Sequence, residues 1–249
     1  MKPVIAFANH KGGVGKTTSA VSIASVLGEM GRRVLVIDID PQGSASLHFG
    51  VSDDGMEFLR ALRRTVALPV LPTAAGGVDL VPSGPALSEA AQGFSGILDA
   101  QLLSRCLSRT QGDWELIIID CPPGSGVLTM GALRVSRHVV VPIETNRLAL
   151  NGLDQLIETL SSIRWENHQL AILGVIACRA NPRRRIHKEI MAGLERRFPG
   201  RIAPLVRENV ALAEAPAHGQ PVNLYAPFSH GAEDYRQVTR WLLECLEST

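Results

Sequence analysis

The chain has 249 residues, of which 45% are hydrophobic and 20% are charged, and its formal net charge is +1. This balance is ordinary for a globular protein, and the length is sufficient for a large buried core. The near-neutral charge excludes a global electrostatic field that would mark a nucleic-acid or membrane partner, so any basic site must be local.

The four cysteines are Cys106, Cys121, Cys178 and Cys245, and they lie far apart in the sequence. No CxxC pair occurs, which argues against a zinc or iron–sulfur site and is typical of unpaired thiols in a reducing compartment. No stretch approaches the roughly 20 apolar residues that a membrane-spanning helix requires. We therefore expect a cytoplasmic protein.

A strand, a Gly-rich turn and a helix are predicted at the start of the chain. The apolar run Val4–Ala8 predicts a buried strand, and the apolar spacing from Ala20 to Leu27 predicts a helix. Between them, residues 9–18 read Asn-His-Lys-Gly-Gly-Val-Gly-Lys-Thr-Thr. Glycines let the backbone approach a phosphate, and a helix N-terminus aims unpaired N–H groups at it. This context predicts a phosphate-binding loop.

Particular roles follow from the general form of such loops. Lys16 is expected to reach the outer phosphates, and the Thr17 hydroxyl to ligate Mg²⁺. The loop departs from the general motif because His10 stands where that motif has glycine, and a second lysine, Lys11, follows it. The predicted nucleotide-binding residues here are Lys11, Gly12, Gly13, Val14, Gly15, Lys16, Thr17 and Thr18.

The second predicted strand, at 33–37, ends in the acidic stretch Asp38-Ile39-Asp40-Pro41-Gln42-Gly43. Carboxylates at the C-terminal end of such a strand lie at the sheet edge where α/β proteins place ligands. Only one of Asp38 and Asp40 need face the phosphates, where it would orient or deprotonate an attacking water. Helix capping or turn formation is the alternative for both.

The middle of the chain contains one more acidic strand end. We predict a helix at 55–66 with Asp53 or Asp54 as its N-cap, a strand at 78–81, and helices near 86–91 and 97–109. The strand predicted at 114–120 closes with Asp120, a Walker B-type carboxylate expected to hold Mg²⁺, through a water.

The remaining pattern completes the alternation of strands and helices. It predicts strands at 139–143, 170–177 and 202–206, and helices at 148–163, 185–197, 209–216 and 235–246. We therefore expect an α/β fold, with one domain spanning 1–249 and a mostly parallel twisted sheet that has helices on both faces.

A local basic cluster lies between residues 183 and 201, where seven Lys or Arg residues face two Glu, an excess of five positive charges. Such a cluster favours sequence-independent contact with DNA phosphates. A solvated helix face is the alternative. The residues expected to bind DNA are Arg183, Arg184, Arg185 and Lys188.

Several of these stretches resemble the signatures of one family. Residues 11–18 resemble the deviant Walker A motif of the ParA/MinD family of P-loop ATPases, and residues 38–43 and 120–123 resemble its second and third motifs. Residues 214–222 and 229–235 are similar to C-terminal landmarks of chromosomal and plasmid partition ATPases. The resemblance spans nearly the whole chain.

The resemblance implies a P-loop fold and a homodimer that sandwiches ATP and Mg²⁺. Lys11 would cross to the phosphates of the partner subunit, and Lys11, Lys16 and Asp40 would be the catalytic residues. Asn181 would contact the adenine edge, although an Asn-Pro pair is also simply a good turn starter.

The implied function is that of a slow, Mg²⁺-dependent ATPase that associates with the nucleoid through non-specific DNA binding. It would position or segregate a cargo, which is a chromosome origin, a plasmid or a protein assembly. A ParB-like or other cargo-linked protein would stimulate its hydrolysis. Ala211 replaces an arginine that this family associates with DNA contact, and Glu208 adds a negative charge nearby, so the cluster at 183–188 must contribute more.

Two alternatives stay open. A MinD-like membrane-cycling positioning ATPase would use a basic amphipathic C-terminal helix, whereas this chain ends in the acidic stretch 241–249. Because that end is a poor match to an anionic membrane, we expect no membrane partner. A metabolic P-loop ligase is the second alternative.

Overall fold

The computed structural model describes residues 2–93, 101–146 and 149–248. Its sheet has the strand order β3-β4-β2-β5-β1-β6-β7. The strands are β1 (Val4–Phe7), β2 (Val34–Asp38), β3 (Leu71–Pro72), β4 (Val78–Val81), β5 (Leu116–Asp120), β6 (His138–Glu144) and β7 (Ala171–Cys178). Every pairing between these strands is parallel except that of β3 with β4.

Helices connect the strands and close the chain. They are α1 (Lys16–Glu29), α2 (Ser44–His48), α3 (Met56–Arg64), α4 (Leu87–Gly93), α5 (Leu102–Arg109), α6 (Val127–Val135), α7 (Ala149–Ile163), α8 (Arg185–Arg197), α9 (Val210–Glu214), α10 (Val222–Tyr225) and α11 (His230–Glu247). A 3-10 turn, Ala215–His218, follows α9. No helix in the described ranges is long and apolar enough to cross a membrane.

The core lies on both faces of the sheet. Alternate residues of β2 belong to different apolar clusters, with Leu35 and Ile37 in one and Val34 and Val36 in the other. Successive side chains of a strand point to opposite faces, so each cluster fills one face. Helices α3, α5, α6, α7 and α8 contribute to the first cluster, and α1 and α11 to the second. The predicted fold class is therefore confirmed.

Most predicted elements are present with ends shifted by one or two residues. The helix at 185–197 has the predicted bounds. Residues 97–100 of one predicted helix and residue 148 of another lie outside the described ranges.

The prediction that Asp53 or Asp54 caps α3 is wrong, because Gly55 is the N-cap, in the left-handed region at φ 79°. The two carboxylates instead accept from the N–H groups of Gly55 and Met56 at 2.7 and 2.9 Å.

The predicted strand at 202–206 is wrong. This segment makes only isolated bridges, Ile202 with Val175 and Arg207 with Ala180, and so it does not extend the sheet. The apolar pattern there arises because Ala203 and Val206 pack into the second apolar cluster. A buried loop next to an edge strand shows the same short apolar run as a strand.

Four described elements have no counterpart in the predictions: α2, β3, α6 and α10. Helix α6 is the longest of them and follows the Pro- and Gly-rich stretch 122–126, which is typical of a loop. Its buried residues are Thr129, Gly131, Ala132 and Leu133, of which only Leu133 is large and apolar. The burial of this helix, rather than its sequence pattern, defines it.

Candidate active site

The phosphate-binding loop joins the end of β1 to the start of α1. Gly13 and Gly15 lie in the left-handed region at φ 73° and 96°, where other residues are strained. A Cβ at Gly15 would also lie 3.0 Å from Sγ of Cys178, so the turn and its packing both require glycine there. No side chain caps the N-terminus of α1, which leaves its first N–H groups to a ligand.

Asn9 fixes the loop to the sheet, a role that the sequence did not reveal. Its Nδ2 donates to the carbonyl oxygen of Pro142 on β6 at 2.8 Å, and its Oδ1 accepts from the N–H of Lys11 at 3.0 Å. Glycine at 152 in α7 leaves space for this amide, because a Cβ there would lie 3.0 Å from Oδ1 of Asn9. The side chain therefore holds the front of the loop in register with the sheet.

The two lysines of the loop occupy different positions. Lys16 is buried, and its Nζ donates to the carbonyl oxygen of Lys11 at 3.1 Å. Burial lowers the pKa of Lys16, and the nearby charge of Asp120 partly offsets this. Lys11 is half-buried, and its Nζ donates to Oδ1 of Asn146 in the connection after β6 at 3.3 Å.

The predicted acidic residues converge at the C-terminal ends of β2 and β5, where Asp38 and Asp120 are paired neighbours. Asp38 is buried and does not line the cavity beside the loop. It accepts from the N–H and hydroxyl of Ser46 and from the N–H of Asp40. Asp40 lines the open cavity beside the loop instead. Of the two carboxylates on this stretch, Asp40 is thus the one that faces the loop.

Asp120 is fully buried, and neither carboxylate oxygen has a hydrogen-bond partner of normal geometry among the described residues. Burial raises its pKa well above the usual range, and the adjacent charge of Asp38 acts in the same direction, while the nearby Thr17 hydroxyl lowers it. Burial likewise raises the pKa of Asp38 to about 6. A buried carboxylate without a partner is costly unless a cation or a proton neutralises it.

A cavity of about 620 Å³ opens over the loop. Its walls come from the phosphate loop and α1 (Gly12, Gly13, Gly15, Lys16, Thr17 and Thr18), the stretch from β2 to α2 (Asp40, Gln42, Ser44 and His48), Pro123, the end of β7 (Cys178 and Arg179), residues 206–210, Leu212, Ala213 and Tyr235. This volume lies within the range typical of small-molecule sites.

The structure does not place Asn181 among the residues that line this cavity. Its Oδ1 accepts from the N–H of Arg183 at 3.1 Å, as a turn-starting Asn does. The adenine contact of Asn181 therefore stays a prediction. Arg179, which the sequence did not single out, lines the cavity instead, with a left-handed backbone at φ 48°.

Helix α11 holds two walls of the cavity through neighbouring residues. Asp234 is buried and accepts from the guanidinium of Arg207 through both oxygens, at 2.6–3.1 Å, and from its backbone N–H at 2.9 Å. Tyr235 lies next to it, and its hydroxyl is 3.0 Å from that of Ser19 on α1. The sequence marked 229–235 as a landmark, but only the contacts show what this stretch supports.

The predicted basic cluster lies at the start of α8, shortly after β7 ends. Because β7 is parallel to its neighbour β6, this end of β7 is at the sheet edge that carries the phosphate loop. The side chains of Arg183, Arg184, Arg185 and Lys188 are all exposed. Arg185 pairs with Glu189 at 2.7 Å, and the other three make no ion pair with a residue of the described ranges.

Comparison with known proteins assigns the family. A model of the AAA domain family matches residues 2–172. The chain is 34% identical over 247 residues to the sporulation initiation inhibitor protein Soj of Bacillus subtilis, covering 96% of this chain and 98% of Soj. It is 35% identical over 236 residues to the chromosome-partitioning ATPase Soj of Thermus thermophilus, covering 94% and 92%.

Among solved structures, the chain resembles a cobyrinic acid a,c-diamide synthase from Mycobacterium smegmatis that was crystallised with an ATP analogue and magnesium. The TM-score is 0.80 at 29% identity, covering 100% of this chain and 97% of that one. The matches in sequence cover nearly the full length of both chains and include the loop and the two acidic strand ends. This chain belongs to the AAA domain family and, within it, is a ParA/Soj-like partition ATPase.

Proposed function

We propose that this chain hydrolyses ATP to ADP and phosphate with Mg²⁺, and that its ATP-bound homodimer binds DNA non-specifically to position or segregate a cargo. The observation that carries the proposal is the buried carboxylate of Asp120, which has no hydrogen-bond partner of normal geometry in the described ranges and lies near Thr17 at the uncapped start of α1. Thr17 in turn lines the cavity. Hydrolysis would be slow until a ParB-like or other cargo-linked protein stimulates it.

The residues around Asp120 fit a magnesium ion. The described ranges hold no cluster of three or more His, Cys, Asp or Glu side chains that would bind a metal by themselves. Mg²⁺ suits such a site because it takes few protein ligands and completes its shell with phosphate and water oxygens. Thr17 and Asp120 would hold it, and the bound ion would neutralise charge that develops on the phosphates.

The chain's own groups divide the remaining work. The loop and the start of α1 would bind the phosphates through N–H groups, with Lys16 against the outer phosphates. Asp40 would orient the attacking water or take its proton. Since Asp40 lines the cavity and Asp38 does not, Asp40 is the acidic residue of the pair that would act on water.

The dimer is proposed from Lys11. This lysine stands at the front of a loop in which Lys16 would already serve the chain's own nucleotide. Its Nζ contacts Asn146, and Lys11 is not among the residues that line the chain's own cavity. A lysine supplied by the partner subunit would neutralise the triphosphate only once two chains meet. The ATP state would thereby control assembly.

DNA binding is proposed from the exposed start of α8. Three cations without an ion pair in the described ranges, Arg183, Arg184 and Lys188, stand close together on one surface. Exposed cations of this kind contact phosphates without reading sequence. Ala211, which is half-buried on α9, offers no charge there, so α8 would provide most of the binding.

The membrane alternative is disfavoured by the packing of α11. Val238 and Leu242 are fully buried, and Trp241, Leu243 and Leu246 pack against the same core cluster. Trp241 lies so close to β7 that a Cβ at Gly174 would be 2.0 Å from its ring. The apolar face of this helix is occupied within the protein, whereas a membrane-binding helix must leave that face to the lipid.

Co-sedimentation tests the proposal. The full chain is incubated with plasmid DNA, and separately with anionic liposomes, under ATP and under ADP. We expect retention on DNA with ATP only, and release of ADP and phosphate without any further substrate. Retention on liposomes but not on DNA would support the membrane-cycling alternative, and turnover that requires a second substrate would support a ligase.

A further inference from the structure

We infer that Ser83, in the connection from β4 to α4, is a positioning residue for hydrolysis, because it holds the backbone of Asp40 from a separate element. The inference rests on the proposed ATPase function. Ser83 does not line the cavity and would touch neither the nucleotide nor the attacking water. Its effect would pass through Asp40.

Two hydrogen bonds connect Ser83 to the stretch that contains Asp40. The Ser83 hydroxyl donates to the carbonyl oxygen of Asp40 at 2.7 Å, and its N–H donates to Oγ of Ser46 at 3.0 Å. Both serines are only 1% exposed, so water does not compete for these bonds. Ser83 is thus bonded to the acidic stretch at Asp40 and to Ser46 on α2.

The chain of bonds closes on itself. The Ser46 hydroxyl donates to Asp38 at 2.8 Å, and the other oxygen of Asp38 accepts from the N–H of Asp40 at 3.1 Å. The N–H of Asp40 is therefore held by Asp38, and its carbonyl oxygen by Ser83. Because both peptide groups that flank its Cα are hydrogen-bonded, the direction of the Cα–Cβ bond of Asp40 is set by this ring of four residues.

The other contacts of Asp40 are local to its own turn. Its carbonyl oxygen also accepts from the N–H of Gly43 at 2.8 Å, and its Oδ1 accepts from the N–H of Gln42 at 3.0 Å. Such a turn moves as a unit unless another element fixes it. Ser83 supplies that attachment, since it follows β4, the strand that pairs with β2, and bonds to the turn from there.

Close packing makes the attachment rigid. A Cβ at Gly43 would lie 2.9 Å from the carbonyl oxygen of Ser83, and one at Gly84 would lie 2.2 Å from that of Asp53. The backbone after β4 is thus wedged between the turn of Asp40 and the start of α3. A small movement of this backbone would displace Asp40, and displacements near 1 Å at a catalytic group cost up to about 100-fold in rate.

Ser83→Ala tests the inference, with ATP turnover and binding of a fluorescent ATP analogue measured on the full chain. We expect turnover to fall about tenfold, with nucleotide affinity unchanged within about twofold. The reason is that the variant loses the hydrogen bond from the Ser83 hydroxyl to the carbonyl oxygen of Asp40. The matched control is Ser136→Ala, which removes another buried serine hydroxyl that donates to a carbonyl oxygen at 2.7 Å, that of Ala132. The control should lose thermal stability to a similar degree and keep its turnover.

The outcomes separate the two levels of the proposal. If the unmodified chain does not hydrolyse ATP, the proposed function is wrong. If it hydrolyses ATP and Ser83→Ala matches it, or if Ser136→Ala loses turnover equally, the positioning role is wrong. Should Ser83→Ala fail to fold, the nearly isosteric Ser83→Cys, a weaker donor, must still show reduced turnover with retained affinity, and full turnover would overturn the inference.

Discussion

At the scale of single residues, the proposed phosphate-binding group Lys16 and the proposed water-activating group Asp40 lie on different walls of the cavity. Lys16 is buried at the start of α1, whereas Asp40 stands on a different wall, after β2. A residue that binds ground state and transition state equally affects affinity, and one that acts only in the transition state affects turnover. The two positions therefore predict different kinetic defects.

Lys16→Ala should weaken ATP binding by about 100-fold or more, because a charge-assisted contact to the phosphates is lost. Asp40→Ala should bind ATP normally and lose nearly all turnover. Titration with a fluorescent ATP analogue and a phosphate-release assay measure the two effects. Equal loss of binding and turnover in Asp40→Ala would contradict its assigned role.

His48 makes the stability of the folded chain depend on pH. Burial lowers the pKa of its ring to about 4, from an ordinary value of 6.5. Because the unfolded chain takes up this proton more readily, the contribution of His48 to stability is lost as pH falls from about 6.5 towards 4. We therefore compare the free energies of unfolding of His48→Gln and the unmodified chain without nucleotide. When the pH is lowered from 7 to 5, the variant should become more stable relative to the unmodified chain by roughly 1–2 kcal/mol.

Thermal melting at both pH values measures this difference. His168→Gln is the matched control, because the ring of His168 is exposed. Parallel stability curves for His48→Gln and the unmodified chain over this range would show that the ring is not held neutral.

At the scale of elements, helices α11 and α8 differ in which part of each helix is buried and which is exposed. Helix α11 packs its apolar face against the core. Its residues Asp234 and Tyr235 contact Arg207 and Ser19, respectively, next to the cavity. Helix α8 buries Ile190 and Leu194 and leaves its basic start in solvent. A surface function is thus expected from α8 and a supporting one from α11.

Charge reversal of Arg184 and Lys188 to Glu should weaken DNA binding by at least about tenfold. The slope of log affinity against log salt concentration should fall by the amount that corresponds to about two phosphate contacts. ATP turnover without DNA should not change, since neither residue lines the cavity. Filter binding over a series of salt concentrations measures both. Arg64→Glu with Arg105→Glu on α3 and α5 changes the charge equally on exposed positions, and a similar loss there would show a general charge effect.

At the scale of the whole molecule, the proposed switch requires two copies of the chain. Asp40→Ala should elute from size exclusion as a dimer with ATP and as a monomer with ADP, because the nucleotide is bound but not consumed. Adding Lys11→Ala should leave a monomer in both states. A dimer that persists in the double variant would show that Lys11 does not complete the partner's site.

The sequence by itself determined the parallel α/β fold and predicted the phosphate-binding loop, because apolar strands, a helical spacing and a Gly-Lys-Thr turn are local patterns. The strand-end pattern also marked Asp120 and the pair Asp38 and Asp40, and the family resemblance selected Asp40 from that pair. The sequence did not reveal helix α6, which follows a Pro- and Gly-rich stretch and has one large apolar residue, Leu133, among its buried residues. Nor did it reveal that 202–206 is not a strand, because a buried loop has the same pattern.

Only the tertiary structure decided which carboxylate lines the cavity and that Arg179 rather than Asn181 lines it. It also showed that Asn9 bonds to the backbone of Lys11 and Ser83 to the backbone of Asp40. These choices depend on contacts between residues far apart in the chain, such as Ser83 with Asp40 and Asn9 with Pro142. Strand order brings those residues together, and no local pattern in the sequence encodes that order.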